Sequence, residues 1–118
     1  AVEKAMSQGA KVVTVSDSSG TIVDEAGFTP EKLAILAEVK NHLYARLDEY
    51  ARRTNVTFLP GAKPWNVPVQ VALPCATQNE LTGEDARALI NNGVICVAEG
   101  ANMPSTAEAV ECFLHNKV

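Results

Sequence analysis

Short apolar runs alternate with stretches of helical periodicity along this chain. Strands are predicted at residues 11–16, 56–59, 69–73 and 94–98, with a further short strand at 21–23. Helices are predicted at residues 1–8, 30–50, 83–92 and from 106 onwards. Alternation of strands with helices predicts the α/β class with a mainly parallel sheet. The run 69–73 is almost continuously apolar, which is typical of a strand covered on both faces.

Capping residues mark where the predicted helices begin. Residues 29–31 read Thr-Pro-Glu: a hydroxyl cap, a proline at the first helical position and an acid near the positive end of the helix dipole. Thr82 with Asp85 caps the third helix, and Ser105 with Glu108 has the form of a capping box for the last one.

Glycines and an apolar stripe complete the helix predictions. Gly9 is the natural stop of the first helix, and residues 92–93, Asn-Gly, end the third. The long second helix carries apolar residues at helical spacing that should pack on a sheet. These residues are Leu33, Leu36, Val39, Leu43, Leu47 and Tyr50.

The opening of the chain predicts a nucleotide-binding fold. A helix leads into the β-branched strand 11–16, which ends in a small acidic loop, as in the second half of a dinucleotide-binding βαβ unit. The first strand of such a unit and its glycine-rich turn do not occur in this sequence. We therefore expect residues 1–118 to be a partial dinucleotide-binding domain of a larger protein. Its fold would be an incomplete Rossmann-like, doubly wound, mainly parallel sheet that lacks its first, central strand, between strands 11–16 and 69–73.

Composition narrows the class of partner. The 118 residues are 47% hydrophobic and 20% charged, with a net charge of −4. An acidic balance argues against a nucleic-acid or anionic-membrane surface, and no apolar run approaches the roughly 20 residues of a membrane span. The three cysteines, Cys75, Cys96 and Cys112, form neither a disulfide framework nor a metal-binding pattern. Cys96 and Cys112 are expected to be buried, in a reducing, cytoplasmic setting.

Three loops carry candidate chemistry. Residues 74–81 and 98–104 follow the strands 69–73 and 94–98, and ligands of open α/β sheets bind beyond such strand ends. Both loops are rich in amides and hydroxyls, which suit a neutral ligand with many hydroxyl groups. The alternative is that they are ordinary strand-to-helix turns.

The third loop, residues 16–20, follows the strand that would meet the adenine ribose. Asp17 there favours NAD, whereas small hydroxyls with nearby cations accept the 2′-phosphate of NADP. Lys40 and Arg46 on the following helix are candidate cations, with solvated helix charge as the alternative.

The strings SDSSGTIVDE, LPCATQNEL and AEGANMPST, in this order, resemble the hexameric glutamate dehydrogenases, and the NADP-type branch best. The resemblance covers residues 1–118. It implies a homohexameric parent enzyme that catalyses the reversible reductive amination of 2-oxoglutarate by ammonium, giving L-glutamate, with NADP as coenzyme and NAD as a further possibility. The catalytic residues of the family have no counterpart in this chain, and the chain alone is expected to be inactive.

The resemblance also implies residue roles. Ala76 and Thr77 would contact the coenzyme near the nicotinamide ribose, with Gln78 close behind and Asn102 on the next loop. The 2′-phosphate pocket of NADP-type members is matched by Ser18, Lys40 and Arg46.

Asp17 carries a negative charge where a pocket for the 2′-phosphate would favour positive or neutral residues. Its charge should repel a 2′-phosphate unless Lys40 and Arg46 outweigh it, or unless the carboxylate turns away to bond backbone amides. Leu43 stands where some relatives carry a further arginine. Two alternatives stay open, namely a related dehydrogenase acting on leucine, phenylalanine or valine, and a nucleotide-binding module without catalysis.

Overall fold

The computed structural model describes residues 1–42, 47–54 and 56–118, and these form two compact units, Ala1–Pro64 and Trp65–Val118. Both units mix helices with small sheets, so the α/β prediction is confirmed at that level. Within the described residues, no helix has the length and apolar character needed to cross a membrane.

The described residues of the first unit form three α-helices and three strands. They are α1 (Val2–Ser7), β1 (Thr14–Asp17), β2 (Gly20–Val23), α2 (Pro30–Ala37), α3 (Leu47–Thr54) and β3 (Thr57–Pro60), with a π-helical turn at Glu38–His42 after α2. The predicted start of α2 is confirmed, because the Thr29 hydroxyl accepts a hydrogen bond from the Lys32 amide at 3.2 Å. Gly9 follows α1 with a φ of 89°, as its role as a stop requires.

The sheet of the first unit is antiparallel, in the order β1-β2-β3. The prediction of a mainly parallel sheet is therefore wrong for the described residues, since only the two strands of the second unit pair in parallel. The physical reason is the two-residue turn at 18–19, which returns the chain at once and pairs Asp17 with Gly20. Gly20 has a φ of 152°, and a side-chain carbon there would lie 2.3 Å from the Leu59 carbonyl oxygen.

The helical stripe of the first unit packs on this sheet as predicted. Phe28 and Tyr50 stack with ring centroids 5.8 Å apart. Leu43 lies outside the described residues. The buried core consists of Ile22, Phe28, Leu36, Val39, Leu47 and Tyr50.

The second unit contains β4 (Val71–Ala72), α4 (Gly83–Asn91), β5 (Cys96–Val97) and α5 (Ala107–His115), and a 3₁₀ turn, Pro64–Asn66, leads into it. The strands β4 and β5 pair in parallel. The buried core comprises Trp65, Ala72, Leu81, Ala86, Leu89, Val94, Ala109 and Phe113.

The caps of α4 and α5 confirm one prediction and correct another. Thr82 and Asp85 form the expected capping box of α4. The cap of α5 is Thr106, whose hydroxyl accepts from the Ala109 amide at 3.2 Å, and not Ser105. Ser105 is buried in a parallel bridge with Leu81, and this extended pairing moves the helix start one residue later.

Two burial predictions for the second unit are wrong. Val71 and Leu73 are 48% and 41% exposed, whereas Ala72 between them is buried. Successive side chains of a strand point to opposite faces, and the described residues cover one face of this two-stranded sheet. Cys96 is exposed for the same reason, and Cys112 is half-buried.

Candidate functional site

Main-chain hydrogen bonds tie together the two loops that follow β4 and β5. The Gly100 amide donates to the Pro74 carbonyl at 2.9 Å, and this contact is named the first tie. The Asn79 amide donates to the Met103 carbonyl at 3.0 Å, and this contact is named the second tie. The two loops therefore run side by side from the end of the sheet towards α4 and α5.

The residues predicted to contact a coenzyme lie between the two ties. Ala76, Thr77 and Gln78 are exposed on the first loop, and Asn102 is exposed on the second. The structure thus brings these four predicted site residues onto adjacent, exposed segments of one surface. Their hydroxyl, amide and main-chain groups can donate and accept hydrogen bonds, as a ribose requires.

Two local features shape these segments. The Glu80 carboxylate accepts a hydrogen bond from the Thr77 amide at 3.1 Å, which closes the first loop into a turn. Gly100 approaches Cys75 so closely that a side-chain carbon on Gly100 would lie 2.5 Å from the Cys75 sulfur. Glu80 was expected in the loop 74–81, but its hydrogen bond with Thr77 was missed, although a Thr followed three residues later by Glu is the spacing that predicts such a turn.

The first unit holds a second set of predicted site residues around the β1–β2 turn. One oxygen of the Asp17 carboxylate accepts from the Ser19 amide at 2.8 Å and from the Ser19 hydroxyl at 2.5 Å. Its other oxygen accepts from the Lys40 ammonium at 3.0 Å and from the Leu47 amide at 3.2 Å. This four-bond arrangement, named the Asp17 clamp, joins the turn, the π-helical segment and the start of α3.

The clamp keeps Asp17 ionised. Burial of the carboxyl raises its pKa, but hydrogen bonds from the Ser19 side chain, the Lys40 ammonium and the amides of Ser19 and Leu47 outweigh burial. Together they lower the pKa from 3.8 to about 2. The carboxylate thus bonds two backbone amides and carries its own counter-ion, which is one of the two conditions under which Asp17 is compatible with a nearby phosphate.

The structure brings three of the four residues expected around the adenine ribose together. Asp17, Ser18 and Lys40 share this region, Ser18 being exposed in the turn and the Lys40 side chain 36% exposed. Arg46 lies outside the described residues. The contributions of Ser19 and of the Leu47 amide were missed, because a main-chain donor 30 residues away in sequence has no local pattern. The described residues contain no group of three or more side chains able to hold a metal ion.

Comparisons with known proteins identify the relatives of this chain. The Glutamate/Leucine/Phenylalanine/Valine dehydrogenase family model matches residues 1–118. The NADP-specific glutamate dehydrogenase of Salmonella typhimurium is 63% identical over 114 residues, which are 97% of this chain and 26% of that protein. Its namesake from Escherichia coli is 58% identical over 113 residues, 96% of this chain and 25% of that protein.

A solved structure shows the same similarity in three dimensions. The glutamate dehydrogenase of Plasmodium falciparum superimposes with a TM-score of 0.95 at 42% identity, over 99% of this chain and 25% of that one. The chain therefore spans about a quarter of the length of these relatives. Because the family model matches it from end to end, this chain belongs to the Glutamate/Leucine/Phenylalanine/Valine dehydrogenase family.

Proposed function

We propose that this chain is the coenzyme-binding part of an NADP-dependent glutamate dehydrogenase. The parent enzyme would catalyse the reversible reductive amination of 2-oxoglutarate by ammonium to L-glutamate. The relatives at 63% and 58% identity are NADP-specific glutamate dehydrogenases, which favours glutamate over the leucine, phenylalanine and valine substrates of the wider family. Since the chain spans about a quarter of those relatives, the reaction would belong to a protein about four times as long.

The observation that carries this proposal is the pair of tied loops. Between the ties, the chain presents Thr77, Gln78 and Asn102 at the ends of the parallel strands β4 and β5. Ligands of open α/β sheets lie at such strand ends, and these side chains suit a ribose and a carboxamide. In the proposal these residues orient the nicotinamide end of the coenzyme, which when bound supplies the hydride acceptor or donor.

The Asp17 clamp supports an adenine-ribose site that tolerates the 2′-phosphate. Among the described residues, the Asp17 carboxylate accepts hydrogen bonds from Ser19, Lys40 and Leu47, and the nearby Lys40 charge offsets its own. Asp17 would therefore hold Lys40 and the turn in place, while Ser18 and Lys40, joined by Arg46, would contact the phosphate. Balanced charge at the clamp also leaves NAD as a weaker alternative coenzyme.

The remaining parts of the proposal concern the parent protein. Residues 1–118 would form part of a Rossmann-like, doubly wound coenzyme domain, whose first, central strand comes from elsewhere in the parent. The antiparallel strands β2 and β3 would then extend the sheet of that domain beyond β1. The parent would be a cytoplasmic homohexamer that acts on 2-oxoglutarate, ammonium and L-glutamate.

An assay of the parent enzyme tests the proposal. Oxidation of NADPH would be followed with ammonium and one 2-oxo acid at a time: 2-oxoglutarate, or the oxo acids of leucine, phenylalanine and valine. The expected result is turnover of 2-oxoglutarate with NADPH and slower turnover with NADH. Turnover of a branched or aromatic oxo acid without turnover of 2-oxoglutarate would contradict it. The 118-residue chain serves as the control, and it should give no glutamate-dependent reduction of NADP.

A further inference from the structure

The second tie joins two residues with unusual backbone conformations. Asn79 has a φ of 57° and Met103 a φ of 47°, both in the left-handed region. Asparagine enters that region readily, but methionine does so rarely, and the following Pro104 restricts Met103 further. Two strained residues that face each other across one hydrogen bond call for a physical explanation.

Side-chain packing does not explain the conformation of Met103, whose side chain is 70% exposed. The conformation instead sets the direction of the main chain. It aims the Met103 carbonyl at the Asn79 amide, and the next carbonyl, that of Pro104, accepts from the Leu81 amide at 3.0 Å. Residue 102 immediately precedes this turn, so the left-handed conformation of Met103 fixes where Asn102 stands beside the first loop. Backbone strain that is not offset by side-chain packing is typical of functional sites.

We infer that Asn79 and Met103 are positioning residues, whose left-handed backbones hold Thr77 and Asn102 side by side for the nicotinamide-ribose end of the coenzyme. This inference rests on the proposed function. It assigns the role to the backbone of Met103 and not to its side chain, and that distinction can be tested.

Three substitutions of Met103 in the parent enzyme separate backbone from side chain. Met103→Gly removes the side chain and enters the left-handed region freely. Met103→Ala removes the side chain beyond Cβ, and Cβ is the atom that disfavours this region. Met103→Val adds a branch that disfavours it most strongly. The Michaelis constants for NADPH and for 2-oxoglutarate are measured for each variant, with Ile95→Val, at an exposed position outside both loops, as the control.

The Michaelis constant for NADPH should be lowest for Met103→Gly, higher for Met103→Ala and highest for Met103→Val, with about a tenfold rise from the lowest to the highest. The constant for 2-oxoglutarate should change much less. Asn79→Val and Asn79→Gly should repeat the order on the other loop. If the Met103→Val variant does not fold, the Gly and Ala variants decide the question, because a higher constant for Gly than for Ala contradicts the backbone role.

Two results overturn the inference in different ways. A lower Michaelis constant for Met103→Val than for Met103→Gly would show that the side chain itself contacts the coenzyme. Equal constants for all variants in an active enzyme would show that the second tie does not position the loops. Wild-type enzyme without NADPH-linked turnover of 2-oxoglutarate would instead overturn the proposed function, and this inference with it.

Discussion

Replacement of Asp17 by asparagine is expected to destabilise the first unit in a manner that depends on pH. Asparagine has no charge, and its amide nitrogen cannot accept the hydrogen bonds that the carboxylate accepts from Ser19, Lys40 and Leu47. A pKa lowered from 3.8 to about 2 corresponds to about 2 kcal/mol of stabilisation at neutral pH. This stabilisation is complete above the unfolded-state pKa and is lost as pH falls through the folded-state pKa.

The change in the free energy of unfolding can be predicted at two pH values. Asp17→Asn should lower the free energy of unfolding by about 2 kcal/mol or more at pH 7, and by about 1 kcal/mol less at about pH 3, where half of the ionisation contribution is already lost. Urea titrations followed by the methyl signal of Met6, which packs against the core of the first unit, provide the measurement. Glu25→Gln, at an exposed position, is the control and should change the free energy by less than about 0.5 kcal/mol.

A loss from Asp17→Asn that matches the control, or one that is the same at both pH values, would contradict the proposed role of the Asp17 charge. The first result would mean that water satisfies the donors of the clamp as well as the carboxylate does. The second would mean that the carboxylate acts through shape alone and not through its charge.

Three further predictions follow from the site and its supports. In the parent enzyme, Lys40→Gln should weaken NADPH about tenfold relative to NADH, since a charge-assisted contact contributes about 1.5–3 kcal/mol, and equal losses for both coenzymes would assign Lys40 to the clamp alone. Thr82→Ala should lower the stability of the second unit by about 1 kcal/mol in urea titrations followed by Trp65 fluorescence, because the capping box of α4 is lost, and an unchanged midpoint would contradict this. Gly100→Ala should destabilise the same unit by about 1–3 kcal/mol, because its new carbon meets the Cys75 sulfur. The double variant with Cys75→Ala should recover most of that loss, and simple additivity would contradict the contact.

Local signals predicted where α2 and α4 begin and where α1 stops, but not that α2 ends at Ala37 within the predicted helix 30–50. The Thr29 and Thr82 caps and the Gly9 stop are where the sequence places them, because each depends on a few adjacent residues. The cap at Ser105 was misplaced by one residue because a bridge to Leu81, distant in sequence, draws Ser105 into extended pairing. The local sequence does not show whether a residue will cap a helix or pair with a residue distant in sequence.

Pairing and burial were harder to predict than helix ends. The antiparallel β1-β2-β3 sheet depends on which strands meet, and the apolar pattern of a short strand does not specify its partner's direction. Cys96 was expected to be buried because free cysteines usually are, yet it is exposed. At the candidate site, the loops were predicted from their places after two strands, and Lys40 and backbone amides were offered as partners of Asp17. The ties and the choice of the Leu47 amide could not be predicted, since they join groups distant in sequence.

The ties between the two loops have a consequence for redesign of the protein. Both ties are made by main-chain atoms, so the frame does not depend on the identity of the side chains that it displays. Exchanges at positions 76–78 and 102 should therefore change what the surface recognises while the loops keep their path. Positions 79 and 103, which have left-handed backbones, and position 100, which has no room for a side chain, should be held fixed in any such library. The residues that could evolve a new ligand preference are thus different from those that maintain the path of the two loops.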